Sequence, residues 1–160
     1  MPSGQEFVTH EFDEAIAVQE AIVAGAEKLS REHPWAEARR VIQSSLRQDR
    51  SQLAELEKYG KKFGAAGKRE AVAGALAKLM EETAAKASSE DSEAYEAQAV
   101  LINLKRKQQD SADAVHKMAR NMGESALRDS ALKMKRAIKR SADELAKNLS
   151  QFAVRIASAG

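Results

Sequence analysis

Five residues stand where a helical protein would do its chemistry: Gln19, Asp49, Gln52, Gln108 and Ser141. Each interrupts a stripe of apolar residues near the middle of a long helical stretch. In four-helix proteins that bind two metal ions, such mid-length interior positions carry carboxylates and histidines. Asp49 and Gln52 even keep the i, i+3 spacing of the Glu-x-x-His element. Here, however, the set holds one carboxylate, three amides and a hydroxyl. A pair of iron or manganese ions needs several charged oxygen ligands, usually with imidazole support. These five residues are better suited to hydrogen-bonding one another across a core. The sequence therefore predicts no catalytic residue, no resident metal and no cofactor.

Other chemistry is sparse. His10, His33 and His116 fall on separate stretches, no two are spaced i, i+4, and there is no cysteine. Solvent or interface positions are expected for all three. No glycine-rich phosphate loop and no nucleophile motif stands out. Trp35 is expected to close one end of the core. From Lys105 to the C-terminus there are 13 Lys/Arg and 6 Asp/Glu, a local charge of +7; the rest of the chain carries 13 against 18, or −5. The run Lys105-Arg106-Lys107 winds around a helix and makes no flat patch. Lys135, Arg136, Lys139 and Arg140 sit at i, i+4 spacing and form a candidate surface for an acidic partner. With 4% aromatics and no helix-turn-helix, nucleic acid is not the expected partner.

The elements that must hold these residues are helices. Two prolines and eight glycines in 160 residues leave little to interrupt them. Residues 125–156 place Leu127, Ala131, Met134, Ile138, Ser141, Leu145, Leu149, Phe152 and Ile156 on one face. Residues 93–122 do the same with Leu101, Leu104, Gln108, Ser111, Val115, Met118 and Met122. A first helix runs from Ser3 or Thr9 to Arg31, with Ser3 and Glu6 at capping-box spacing. Its face is Val8, Phe12, Ile16, Gln19, Val23 and Ala26, with Glu20 at the edge. Pro34 opens a second helix that ends after Lys61 and Lys62, before Gly64. A shorter helix over 68–85 presents Val72, Leu76, Leu79, Met80 and Thr83. Ser88 or Ser89 caps the helix after it. The fold class expected is all-α: a four-helix bundle with one additional short helix between the second and third long helices, as one domain over 1–160. No segment approaches a membrane span, and residues 1–10 lack the features of a signal peptide. A cytoplasmic setting is expected.

Three segments carry a resemblance. Leu46-Arg-Gln-Asp-Arg-Ser-Gln-Leu-Ala-Glu-Leu-Glu, followed by Lys61-Lys-Phe-Gly64, resembles the second helix of YciF-like ferritin-like proteins. Ala71-Val-Ala-Gly-Ala-Leu-Ala-Lys-Leu-Met-Glu-Glu82 resembles their short third helix. Met118-Ala-Arg-Asn-Met-Gly123 resembles the helix end before their last helix. The resemblance implies a ferritin-like fold, a stress-related role and a dinuclear metal centre held by Glu and His. The five residues above depart from that centre, so the expectation is a ferritin-like bundle with a degenerate metal site. Such a bundle would act through self-association, as a dimer, or through a protein partner. Two alternatives remain: a metalloprotein with an atypical set, Asp49, Glu20 and Glu144, and a basic helical module for an acidic protein or nucleic acid.

Overall fold

The computed structural model describes residues 3–159; residues 1–2 and 160, the ends of the expected 1–160 domain, lie outside them. Five helices follow in order: α1 (Gly4–Glu32), α2 (Ala36–Lys62), α3 (Ala71–Lys86), α4 (Asp91–Met122) and α5 (Ser125–Ala159). No strand occurs among the described residues. Helix α1 starts at the expected capping box. Glu6 N–H donates to Ser3 Oγ (3.2 Å), and Ser3 N–H donates to the Glu6 carboxylate (2.6 Å). Helix α4 stops at Gly123, whose φ of 73° turns the chain in a conformation that suits glycine.

The four long helices form a ring of neighbours in the order α1, α2, α5, α4, while α2 and α4 face each other across a diagonal. Hairpin joints make α1–α2 and α4–α5 antiparallel. Contacts of α1 Gln19 with α4 Gln108, and of His33 beyond the end of α1 with α4 Gln98, make α1–α4 antiparallel too. Helices α2 and α4 therefore run the same way, and the chain needs a crossover between them. Helix α3 supplies it, packed over α1 and α4. Met80 of α3 enters a notch at Gly25 of α1, where a Cβ would lie 2.7 Å from the Met80 thioether sulfur. The incoming linker is held by Asp13, whose Oδ1 accepts from the N–H groups of Ala66 (2.8 Å), Gly67 (2.9 Å) and Lys68 (3.2 Å).

Leu104, Met134 and Leu145 are buried, as are Phe12, Ile16, Leu101, Ile138 and Phe152. The Trp35 ring stacks on Phe152 at 5.7 Å and closes one end of the bundle.

Several expectations need correction. Pro34 precedes α2 rather than opening it; Trp35 holds the cap position. Glu90, not Ser88 or Ser89, occupies the cap of α4, and Ser89 Oγ instead donates back to Lys86 O. Helix α3 begins at Ala71 rather than 68, and its buried face is Ala73, Ala77, Met80 and Ala84. Val72 and Leu79 are 55% and 44% exposed. Alanine made this face hard to read, because it suits a close helix contact yet carries little hydrophobic weight. Met122, at the end of the α4 stripe, is also exposed.

Candidate functional site

The five mid-helix residues are all buried and belong to one connected cluster. Gln108 of α4 donates through Nε2 to Ala15 O (2.7 Å) and to Gln19 Oε1 (3.0 Å). Gln19 of α1 donates in turn to Asp49 O (2.9 Å) and, at 3.4 Å, to Gln52 Oε1. The amides thus form a directed chain from α4 through α1 to α2. Its one cost is Gln108 Oε1, which is buried without a partner.

A sixth residue completes the cluster. Lys105, only 2% exposed, reaches from α4 across the bundle diagonal to α2. Its ammonium donates to both carboxylate oxygens of Asp49 (3.0 and 3.2 Å), to Ser45 Oγ (3.2 Å) and to Ser141 Oγ of α5. One ammonium therefore ties three elements of the interior. Burial pushes the Asp49 carboxyl up and the Lys105 ammonium down, and each partly offsets the shift of the other. Desolvation is the larger influence on both. The pair is costly to bury and much costlier to halve.

The sequence expectation missed Lys105 because it reads as the first member of a solvated basic run. A signal was nevertheless present. Lys105 lies one residue after the core position Leu104 and four after Leu101, on the same helical face.

The donor set does not fit a dinuclear metal. Asp49 is the one carboxylate of the centre, and Lys105 already binds both of its oxygens. The alternative ligands do not join it. Glu20 lies near α3, 3.5 Å from the Arg69 guanidinium, and Glu144 is exposed on α5. The metal-capable group found among the described residues is elsewhere, at His10, Glu11 and Glu14 on the outer surface of α1. There Lys107 already binds Glu14 (2.6 Å).

A second buried polar cluster lies toward the Trp35 end. Trp35 N–H donates to His33 Nδ1 (3.1 Å), so His33 Nε2 carries the proton and donates to Gln98 Oε1 (2.9 Å). Gln98 Nε2 passes the chain on to Asn148 Oδ1 (2.9 Å) and Leu145 O (3.2 Å). This corrects the expectation of a solvent or interface position for His33, which is fully buried. Burial holds its pKa below the ordinary value, against the opposing bond to Gln98. His10 is exposed and His116 half-buried.

The expected basic surface is only partly available. Lys135 is bound to Asp113 (2.8 Å), and Lys139 to Asp143 (2.7 Å). Hydrogen bonds from Lys135 and Lys117 pull the Asp113 carboxyl down to about 2. Lys139 and Arg106 likewise lower Asp143. Arg136 and Arg140 are exposed, so two of the four predicted cations remain to meet a partner.

Comparison with protein-family models, with curated proteins and with solved structures finds no match to this chain. No described helix is long and apolar enough to cross a membrane.

Proposed function

We propose that the chain is a ferritin-like bundle without a working dinuclear centre, acting through association with a second copy or a protein partner. The observation that carries this reading is Lys105. In a metal-binding bundle, cations from solution balance the buried carboxylates. Here the balancing cation is a side chain, and its carboxylate count matches: one ammonium to one carboxylate. The ring order of the long helices and the α3 crossover support the ferritin-like part of the proposal. With the interior closed in this way, the surface is what the chain offers to others. Val72 and Leu79 stand exposed two helical turns apart on the outer side of α3.

Two measurements on the purified chain test this. The melting curve should be unchanged by chelator, with no stoichiometric iron or manganese found by elemental analysis. Sedimentation velocity should show a dimer or larger species that Val72→Ser with Leu79→Ser weakens. Loss of helical structure in chelator would sink the metal-free centre. A strictly monomeric chain that captures no partner would sink the association.

A further inference from the structure

We propose that the open seam between α2 and α5 is a binding site for a small organic anion, one with a carboxylate or phosphate head. The proposal goes beyond the association reading and does not depend on it.

Helices α4 and α5 pack along most of their length, but α2 and α5 part to leave a groove of about 750 Å³. The floor of that groove includes Gln52, which is 6% exposed. The amide chain fixes which end of Gln52 faces out. Both Nε2 bonds of Gln108 are spent on Ala15 O and Gln19, so Gln19 must accept there and donate onward. Gln19 then donates to Gln52 Oε1. Turning the Gln52 amide over would set two NH2 groups against each other. Gln52 Nε2 is therefore left outward, with no acceptor among the described residues. A donor fixed in a groove wall by the amides behind it, and open to the groove, is placed to meet an oxygen of a ligand.

The charges around it favour an anion. Arg47 and Lys133 line the groove from its two sides and make no ion pair among the described residues. Of the two acids, Asp129 is paired with Arg128 Nε (3.1 Å), while Glu55 accepts from the neutral Ser130 Oγ (3.0 Å) and keeps its charge, so the unpaired cations of the lining outnumber its unpaired acid by one. Met134 and Ala137 give the wall an apolar strip on which the carbon body of an organic acid can rest. Polar donors convergent on a concave, partly apolar surface are the ordinary make-up of a small-molecule site.

The test uses the full chain labelled with 15N and with 13C at the methionine methyls, titrated with succinate and, separately, with inorganic phosphate. Sodium chloride at matched ionic strength is the reference. The site predicts saturable movement of the Gln52 side-chain amide signal in the millimolar range. Movement of the Met134 methyl should accompany succinate alone. Saturation by one anion and not the other identifies the head group. Gln52→Glu keeps an inward oxygen for Gln19 but turns an acceptor to the groove, and should abolish binding. The exposed double change Arg47→Ser with Lys133→Ser should weaken it by roughly tenfold or more. Shifts that stay linear and equal those in chloride would overturn the site. Saturation unaltered by Gln52→Glu in a folded chain would overturn it as well.

Discussion

The two buried polar clusters solve one problem in opposite ways. Toward the Trp35 end, His33, Gln98 and Asn148 hold only neutral groups, and Trp35 and Phe152 cover them. At mid-bundle, Asp49 and Lys105 bring two charges into the core, beneath a groove. The neutral cluster is held by hydrogen bonds alone, and its cost is Asn148 Nδ2, which is buried without a partner. The ionic cluster needs a partner for every charge, and Lys105 meets that need by joining α4 to α2 and α5. The difference lies in where each cluster must reach: helices α2 and α4 are diagonal, and the Lys105 side chain spans the gap between them.

The largest effect should come from halving the ionic cluster. Lys105→Met leaves the Asp49 carboxylate buried without its cation, and should cost roughly 3–5 kcal/mol in chemical denaturation. Burial already raises the Asp49 pKa, and removal of Lys105 raises it further. Stability held by the protonated acid is full below its unfolded pKa and is lost as pH rises through the folded value. The variant should therefore recover relative to the parent protein as the solution is made acidic.

Next comes the apolar layer that joins the clusters. Leu145 is buried, and its carbonyl accepts from Gln98. Leu145→Ala should cost about 2–5 kcal/mol by urea titration, and an unmoved midpoint would refute the α5 register. Breaking the neutral cluster should cost less. Gln98→Leu orphans the His33 N–H, for a loss of roughly 1–3 kcal/mol on the same assay.

The smallest effect is a pH dependence. His33 has a lowered pKa when folded. Its contribution is complete above the unfolded value of about 6.5 and fades as pH falls from there through the folded pKa. The urea midpoint of the parent should drop over that range more than that of His33→Asn. Parallel curves would show that His33 does not titrate against the fold.

Much of this architecture was legible in the sequence, for reasons that particular residues display. The stripes of α4 and α5 are long, and their large residues, such as Leu104 and Ile138, outweigh single exceptions. Gln19, Gln108, Asp49 and Ser141 stood out because a polar residue in an apolar stripe is conspicuous. Lys105 did not, because a lysine beside an arginine and another lysine looks solvated, and only a diagonal neighbour makes its burial sensible. His33 was obscured in a similar way, since its place beside Pro34 reads as an exposed joint. The Asp13 carboxylate that holds the linker before α3 was invisible, because its partners are backbone groups more than fifty residues away. The groove was equally hidden: a gap between two helices is a matter of packing, and no stripe records it.

The most direct test of the account is a double-mutant cycle on Asp49→Leu and Lys105→Met, followed by guanidinium denaturation at neutral pH. If Lys105 is the cation of the centre, each single change is strongly destabilising and the pair together costs far less than their sum. A coupling of at least about 2 kcal/mol is expected. Losses that add to within about 0.5 kcal/mol would show that the two side chains act independently, and would contradict a centre closed by its own lysine.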